Sequence, residues 1–314
     1  MITKEQALTI YNLIKENPKI IIHRHDRPDG DALGAQIGLK EAILANFPTH
    51  DVKIVGDINK RYFWMGEMDN VNDDEYENAL VFVLDSGALK LISDERFSTG
   101  KLLVKLDHHI PQDSYGDYKI EDTSYESCCG LIGDIIYLSG MNLSDEGANA
   151  LFTGMVTDSG RFRYTSTTSN TYKVASHLMN YNIKTDYIYN NLYVEKLENV
   201  KLKATLITKF KVTKKGVAYL INTKEEIKEY GLGIFDISRG MVNIMAGIEN
   251  IPVWANFSED TDGSIYVELR SSGINVNKVA VAHGGGGHVQ ASGCTVKSFD
   301  EVNQIINELD DLID

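Results

Sequence analysis

The chain has 314 residues, of which 43% are hydrophobic and 24% charged, and its formal net charge is −14. This length suffices for two domains, and the composition is that of a folded globular protein. Proteins that neutralise many phosphates carry basic surfaces, so the charge argues against tight binding of long duplex DNA. It does not exclude a small anionic substrate that is bound by a local cluster of cations.

Signals for targeting, membrane insertion or disulfide formation are absent from the sequence. No apolar run reaches the length of about eighteen residues that a membrane span needs, and the amphipathic N-terminus lacks the apolar core of a signal peptide. The three cysteines are odd in number and two are adjacent, Cys128 and Cys129, which argues against a disulfide framework. We therefore expect a cytoplasmic protein with no membrane partner.

The first half of the chain alternates short apolar runs with amphipathic segments. The pattern predicts a helix over 4–16, a strand over 19–25, a helix over 31–47 and a strand over 51–56. It then predicts a loop or short helix through 61–79, strands over 80–85 and 101–107, and helices over 129–140 and 146–158. Strands that alternate with helices indicate an α/β fold, a mostly parallel sheet with helices on both faces.

The second half of the chain changes pattern after a segment, 168–209, that looks almost entirely helical. Beyond it, 211–222, 253–259 and 264–272 alternate like half-exposed strands, and helices are predicted over 236–250 and 298–314. We expect a smaller C-terminal α/β domain. The predicted organisation is a first domain over 1–185, a helical linker over 186–209 and a second domain over 210–314.

Three predicted strands of the first domain lead into acidic residues and histidines. The first leads into His25, Asp29 and Asp31, the second ends at Asp85, and the third ends at Asp107, followed by His108 and His109. Ligands of open α/β sheets bind beyond the carboxyl ends of the strands, so the three groups should converge. Asp158, after an apolar helical segment, is a further candidate.

Several carboxylates in one crevice repel each other and are costly to desolvate, and divalent cations remove both problems. Mixed carboxylate and imidazole ligands suit Mn²⁺, and they tolerate Mg²⁺, Zn²⁺ or Co²⁺. Two ions that share one carboxylate could activate a water and clamp a phosphoryl group. Taken singly, Asp31, Asp85 or Asp107 could instead be a helix cap or a turn residue. Their joint occurrence favours metal binding.

Five segments, in this order, resemble the motifs of the DHH phosphoesterase family. HDRPDGDALGA, LVFVLDSG, LDHH and TGMVTDSGRF look like the four motifs of the DHH domain, and AHGGGGHVQASG looks like the glycine-rich signature of the DHHA1 domain. One DHH domain followed by one DHHA1 domain, without added modules, resembles the NrnA-like branch. That branch comprises short-oligonucleotide ribonucleases that also dephosphorylate 3′-phosphoadenosine 5′-phosphate (pAp).

The resemblance implies roles for the candidate residues of the first domain. Two Mn²⁺ ions, with Mg²⁺ or Co²⁺ as substitutes, would share the bridging ligand Asp85. The remaining ligands implied are His25 and Asp29 for the first ion, and Asp31, His108 and Asp158 for the second. Asp107 would orient the neighbouring imidazoles, and His109 would face the substrate phosphate as a proton donor or charge stabiliser. His23 and Asp26 do not fit the family pattern H-x-x-x-D-x-D.

The resemblance also implies a substrate-binding role for the second domain, with the active site in a cleft between the domains. Four consecutive glycines let backbone N–H groups approach a phosphate, although a tetraglycine alone can be a flexible turn. The implied substrate-binding residues are Arg270, Ser271, His283, Gly285, Gly286, Gly287 and His288. In the first domain Arg161 could reach a phosphate, or it could be an ordinary surface arginine.

The predicted function is metal-dependent hydrolysis of short oligoribonucleotides and pAp. The motifs leave a cyclic or linear dinucleotide phosphodiesterase of the same family open, and a non-enzymatic nucleotide- or RNA-binding module is a third interpretation. A family-II inorganic pyrophosphatase normally has a different C-terminal domain, and a RecJ-type exonuclease is usually longer. The sequence leaves the oligomeric state open, with a homodimer as one candidate.

Overall fold

The computed structural model describes residues 1–313, which form two compact units. The first unit is Met1–Val194 and the second begins at Glu195. This division lies within the linker predicted over 186–209; the domain boundaries at 185 and 210 stay predictions. No helix among residues 1–313 is long and apolar enough to cross a membrane.

A five-stranded, wholly parallel sheet forms the centre of the first unit. Its strands are β1 (Lys19–His23), β2 (Asp51–Ile54), β3 (Leu80–Leu84), β4 (Leu102–Asp107) and β5 (Tyr118–Glu121). They lie in the order β2-β1-β3-β4-β5. After β1 the chain forms β2 on one side of that strand, and it then crosses to form β3 on the other side. The sheet therefore has a topological switch point between β1 and β3, where α/β proteins bind ligands.

Successive strand residues point to opposite faces of this sheet and divide its core in two. Ile20, Phe82 and Leu84 pack among the α-helices, whereas Ile21 and Val81 belong to a second cluster. The helices are α1 (Lys4–Glu16), α2 (Gly30–Asn46), α3 (Cys128–Ser139), α4 (Asp145–Asp158), α5 (Ser169–Leu178) and α6 (Thr185–Tyr193). The predicted α/β architecture is confirmed. On the second face the cover consists of short 3-10 helices and loops.

Glycines allow α2, α3 and α4 to approach closely. A β-carbon at Gly34 would lie 2.8 Å from Cys129 Sγ, and one at Gly154 would lie 2.9 Å from Asp31 Oδ1. Real side chains do not tolerate such distances, so both positions require the absence of a β-carbon. This close packing brings Asp31 on α2 near Asp158, the last residue of α4.

The predicted helical segment 168–209 consists of separate helices, α5, α6 and α7 (Leu197–Lys209). The chain breaks between α5 and α6 because its backbone bonds elsewhere. The N–H groups of Asn182 and Lys184 donate to Asp145 Oδ1 (3.1 Å) and Asn149 Oδ1 (2.8 Å) on α4. The polar stretch that the sequence shows here thus ties α6 to α4.

The second unit contains a six-stranded mixed sheet in the order β10-β11-β9-β8-β7-β6. Its strands are β6 (Lys211–Val212), β7 (Val217–Asn222), β8 (Val253–Glu259), β9 (Ile265–Ser271), β10 (Gly286–His288) and β11 (Ala291–Val296). Its further helices are α8 (Lys224–Tyr230), α9 (Ile234–Met241), α10 (Asn277–Ala282) and α11 (Phe299–Asp310). Within the described part of this unit, β7 and β8 pair in parallel and the other neighbouring strands pair antiparallel. The smaller α/β domain is confirmed. Asp314, the last residue of the predicted final helix, lies outside the described residues.

Candidate active site

The candidate metal ligands of the first unit follow the carboxyl ends of neighbouring strands. β1 leads into His25, β3 leads into Asp85, and β4 ends at Asp107, directly before His108. Because these strands are parallel and adjacent, the side chains emerge at one edge of the sheet. The structure thus brings the strand-end residues together at the switch point.

Helix ends hold the remaining carboxylates. Asp29 caps the N-terminus of α2, where its Oδ1 accepts the N–H groups of Asp31 (2.9 Å) and Ala32 (3.0 Å). The Asp31 carboxylate accepts the N–H groups of Cys128 (2.7 Å) and Cys129 (2.8 Å) at the start of α3. A helix N-terminus favours negative charge, so α3 fixes and stabilises this buried carboxylate.

The ligand atoms form two groups on either side of Asp85. In the first group, His25 Nε2 lies 3.5 Å from Asp85 Oδ2 and 4.0 Å from Asp29 Oδ1. In the second, His108 Nε2 lies 3.7 Å from Asp31 Oδ2 and 3.5 Å from Asp158 Oδ2. His108 Nε2 also lies 3.3 Å from Asp85 Oδ1. Asp85 therefore presents one oxygen to each group.

Backbone carbonyls orient both imidazoles. His25 Nδ1 lies 2.6 Å from the Asp26 carbonyl oxygen, and His108 Nδ1 lies 3.3 Å from that of Tyr125. A carbonyl oxygen only accepts, so each Nδ1 carries the hydrogen that it donates. Each Nε2 then faces the carboxylates, the side from which histidine binds a metal once that nitrogen has lost its proton.

The Asp85 side chain is almost completely buried, and its Oδ1 has no hydrogen-bond partner among residues 1–313. Burial raises the pKa of Asp85, but contacts with His108 and His25 outweigh burial and hold that pKa below its ordinary value. The backbone is in the left-handed region, with φ of +53°. Non-glycine residues in this region are strained, and such strain clusters at functional sites.

The other carboxylates are crowded without a cation between them. Burial raises the pKa of Asp31 well above its usual value, and the neighbouring Asp85 and Asp158 raise it further. Burial likewise raises the pKa of Asp158 to about 6. Four carboxylates and two imidazoles fit Mn²⁺, and they also admit Mg²⁺ or Co²⁺. The unpartnered Asp85 Oδ1 fits a ligand atom that awaits a cation.

A second chain of contacts leads from His109 into the core. His109 is half exposed, and its Nδ1 lies 2.9 Å from Asp107 Oδ1 and 3.4 Å from Asp85 Oδ1. Behind Asp107 lies Lys105, fully buried, with Nζ 3.5 Å from Asp107 Oδ2 and 2.6 Å from Glu121 Oε1. Asp107 thus contacts both an imidazole and a buried ammonium. Sequence reasoning missed Lys105, although a lysine inside the apolar run KLLVKLD was a usable signal.

We expect Lys105→Met to lower the free energy of unfolding by about 3–5 kcal/mol, because it removes the buried ammonium that contacts buried Asp107 and leaves Glu121 only the exposed Lys119. Urea unfolding measures the change. The matched control is Lys101→Met, at an exposed position just before β4. Equal and small losses for the two variants would show that the buried ion pair contributes little.

Residues beside the motif positions have structural roles. His23 is buried, with Nε2 3.0 Å from the Tyr76 hydroxyl oxygen, and the side chain of Asp26 is half exposed. Arg24 is fully buried and donates to the side chain and the carbonyl of Asp57. The strand and the loop after it are therefore anchored independently of the ligand cluster. No pattern in the sequence indicates that Arg24 is buried.

The second unit contains a cavity of about 780 Å³ beside its glycine-rich segment. Arg270, His288 and Gly284–Gly287 line it, together with Arg239 and Glu268. Arg270 Nη2 lies 3.0 Å from Glu268 Oε2, and Arg239 Nε lies 3.2 Å from Glu268 Oε1. Glu268 thus already offsets part of the positive charge of this cavity.

Two other candidates of the second unit do not line the cavity. His283 Nε2 lies 2.8 Å from Glu308 Oε2 on α11, and the Ser271 hydroxyl donates to the Ile274 carbonyl at 2.5 Å. Their polar atoms are used within the fold, so the geometry gives no support to a substrate contact. In the first unit Arg161 is exposed and follows Asp158 by three positions.

Comparisons with known proteins agree with this architecture. Residues 19–155 match the DHH family, N-terminal domain, and residues 234–314 match the DHHA1 domain. The chain is 38% identical, over 97% of its length and 98% of the relative, to a Streptococcus mutans protein described as a probable bifunctional oligoribonuclease and PAP phosphatase NrnA. A Bacillus subtilis protein described as a bifunctional oligoribonuclease and PAP phosphatase NrnA is 35% identical, over 93% of this chain and 94% of that protein.

A crystal structure shows the same fold. It is that of an exopolyphosphatase-related protein from Bacteroides fragilis, with a TM-score of 0.85 and 27% identity, over 99% of this chain and 97% of that one. The ordered motifs, the parallel sheet with its ligand cluster, and these likenesses lead to one assignment. The chain belongs to the DHH family, in which an N-terminal DHH domain is followed by a DHHA1 domain, and to its NrnA-like branch.

Proposed function

We propose that this protein is a metal-dependent phosphoesterase that hydrolyses short oligoribonucleotides and pAp. The observation that carries the proposal is the pair of carboxylate and imidazole groups on either side of Asp85, whose two oxygens face different groups. Such a site would accommodate two cations at one phosphate. Relatives at 38% and 35% identity that are described as oligoribonucleases and PAP phosphatases support the substrate class.

The residues that we propose to hold the metal ions are those of the two groups. His25 and Asp29 would serve one ion, Asp31, His108 and Asp158 would serve the other, and Asp85 would serve both. Bound divalent cations would neutralise phosphate charge there and make a water more acidic. Mn²⁺ is the proposed ion, because it accepts both carboxylate and imidazole ligands.

The proposed role of His109 follows from its contacts. Asp107 engages His109 Nδ1 and fixes the ring, so the other nitrogen remains available at a half-exposed position. We assign that edge to the phosphate, as a hydrogen-bond donor or a charge stabiliser. In the reaction the water oxygen bonds to phosphorus, the ester P–O bond breaks, and the departing oxygen gains a proton.

The second unit has a proposed role in binding rather than in bond cleavage. Arg270, His288 and the backbone of Gly285–Gly287 would bind another phosphate of the substrate in the cavity that they line. Because Glu268 already pairs with Arg270, a phosphate must compete with that carboxylate. This competition favours a dianionic terminal phosphate over the single charge of an internal diester.

A panel of substrates tests the proposal. Purified protein with Mn²⁺ is offered pAp, RNA of two to five nucleotides, longer RNA, a linear dinucleotide and a cyclic dinucleotide, and the products are quantified. We expect cleavage of pAp and short RNA, and its loss when a chelator removes the metal. Cleavage of the cyclic dinucleotide alone would favour the phosphodiesterase alternative. RNA binding without cleavage would favour a binding module.

Activity per molecule should fall steeply as RNA grows beyond a handful of nucleotides. The net charge of −14 repels a long polyanion, and the proposed contacts suffice only for a short one. Initial rates on RNA of three and twenty nucleotides, at equal molar concentration and fixed ionic strength, measure the effect. Equal rates on both would contradict it.

The expectations of a cytoplasmic protein and of a homodimer as one candidate state belong to this proposal. Among residues 1–313 all three cysteines are free, which fits a reducing compartment. Sedimentation of the purified chain measures its oligomeric state, and cell fractionation measures its compartment.

A further inference from the structure

Three arginines of the first unit lack an acidic partner, although the chain has an excess of carboxylates. The arginines that lie within 4.0 Å of a carboxylate oxygen are Arg24, Arg27, Arg96, Arg239 and Arg270. Among residues 1–313, Arg61, Arg161 and Arg163 have no such contact. In a protein of this charge, arginines without a carboxylate indicate an anion from outside the chain.

Two of these arginines meet at the end of α6. The guanidinium carbon of Arg161 lies 4.6 Å from the ring centroid of Tyr193, the last residue of that helix. Arg61 donates from Nη2 to the Leu192 carbonyl at 3.2 Å. Both side chains are therefore fixed by contacts that leave their charge uncompensated. Arg161 is an exposed residue, and one face of its guanidinium group lies against the Tyr193 ring.

The backbone that presents Arg161 is strained. Arg161 and Phe162 both lie in the left-handed region, with φ of +66° and +61°. Buried Ser159 holds this turn: its hydroxyl accepts the Phe162 N–H at 2.9 Å, while the Arg161 N–H donates to the Val156 carbonyl at 2.8 Å. Two consecutive non-glycine residues in this conformation persist only where the surroundings enforce it, as at functional sites.

The arginines lie beside the ligand cluster. Arg161 follows Asp158 by three positions in the turn that ends α4. On the other side, the segment with Arg61 is tied to the ligand loop, since Asn59 Nδ2 donates to the Pro28 carbonyl at 3.3 Å, next to Asp29. Burial raises the pKa of neighbouring Tyr62, the charge of Arg61 lowers that pKa, and the charge of Asp29 raises it. A phosphate bound at the ligand cluster would thus lie beside uncompensated cations.

We propose that Arg61, Arg161 and Tyr193 form a binding site for the nucleotide that lies beyond the scissile phosphate of an RNA substrate. This inference rests on the proposed function. In an RNA the scissile phosphate carries a nucleoside on both sides, whereas in pAp it carries only one. The free face of the Arg161 guanidinium can stack on a base, and its N–H groups can bind the next phosphodiester. The site therefore serves RNA and not pAp.

The test compares Arg161→Asn, because asparagine tolerates the left-handed backbone at this position, with wild type on a trinucleotide and on pAp. We expect kcat/KM for the trinucleotide to fall about tenfold to a hundredfold, the effect of one charge-assisted contact. For pAp it should stay within about twofold of wild type, since neither stacking nor the second contact exists there. Arg161→Lys keeps the charge and loses the planar fork, so it should recover only part of the loss. Arg27→Asn is the matched control, because Arg27 shares the left-handed backbone and its side chain is 91% exposed, and it should leave both activities unchanged.

A binding measurement separates this inference from the proposed function. Fluorescently labelled trinucleotide is titrated in excess chelator, so that no turnover occurs, at several salt concentrations. Arg161→Asn should weaken binding and reduce the slope of log affinity against log salt by about one, which a merely structural role would not do. Binding to wild type without any cleavage when metal is present would refute the proposed function and not this site. Equal losses on pAp and RNA, or no loss on either, would refute the site.

Discussion

Asp85→Asn abolishes hydrolysis of pAp and of short RNA and leaves the fold intact: this is the largest effect that we expect from any single substitution. Asp85 is the carboxylate that faces both groups of candidate ligands, at 3.5 Å from His25 Nε2 and 3.3 Å from His108 Nε2. Metal ions stabilise phosphoryl charge by several kcal/mol, and each 1.4 kcal/mol or so is tenfold in rate. We therefore expect a loss of about a thousandfold or more.

Asparagine is a better replacement than alanine at this position. The backbone of residue 85 lies in the left-handed region, which asparagine tolerates and alanine does not. The amide also keeps the shape of the side chain and removes only its charge. Loss of activity in Asp85→Asn therefore reports on ligand chemistry and not on backbone strain.

Asp26→Asn is the matched control, because only the backbone carbonyl of Asp26 contacts His25 and its side chain is about half exposed. We expect it to retain most of the activity. Bound metal, measured by elemental analysis, should fall in Asp85→Asn and not in Asp26→Asn. An Asp85→Asn variant with near wild-type turnover and metal content would contradict the assignment of Asp85 as a ligand shared by both ions.

The meeting of the candidate ligands was predictable from the sequence because the information is local. His25, Asp85 and His108 each follow a run of apolar residues that reads as a buried strand. Parallel strands end at the same edge, so strand-end residues need no knowledge of distant contacts to be placed near each other. The same argument predicted the α/β class of the first unit.

What the sequence could not show depends on contacts between distant segments. Asp31 is held by N–H groups at the start of α3, almost a hundred positions along the chain. That Arg61 and Arg161 have no acidic partner among residues 1–313 can be recognised only when the position of every carboxylate there is known. Strand β5 was also missed, since its four residues bury only Ile120 and carry little apolar signal.

In the second unit local sequence was a less reliable guide. The glycine-rich motif and Arg270 do line one cavity, but His283, within the same motif, bonds to Glu308 on α11. A histidine next to a phosphate-binding motif looks functional from sequence, whereas its partner lies 25 positions away. Sequence reasoning also missed the role of Glu268, although this residue lies two positions before Arg270 on β9 and therefore on the same face of the strand.

The second large effect concerns this cavity: Arg270→Ala should lower kcat/KM for pAp and short RNA by tenfold to more than a hundredfold. A charge-assisted contact to a phosphate contributes about 1.5–3 kcal/mol, and about 1.4 kcal/mol is tenfold. The Arg270 side chain is 17% exposed and is fixed by the Leu269 and Ser292 carbonyls. Its fork is therefore preorganised for a phosphate.

The artificial diester bis-p-nitrophenyl phosphate distinguishes recognition from chemistry, because it has no second phosphate for Arg270 to bind. Its hydrolysis and the bound metal should match wild type in Arg270→Ala. Arg239→Ala is the matched comparison: Arg239 pairs with the same Glu268 but is 72% exposed, so its loss should cost less. Equal losses on the artificial and natural substrates, or a loss of metal, would place Arg270 in the reaction centre. The division of labour between a metal-binding first unit and a phosphate-binding second unit would then be wrong.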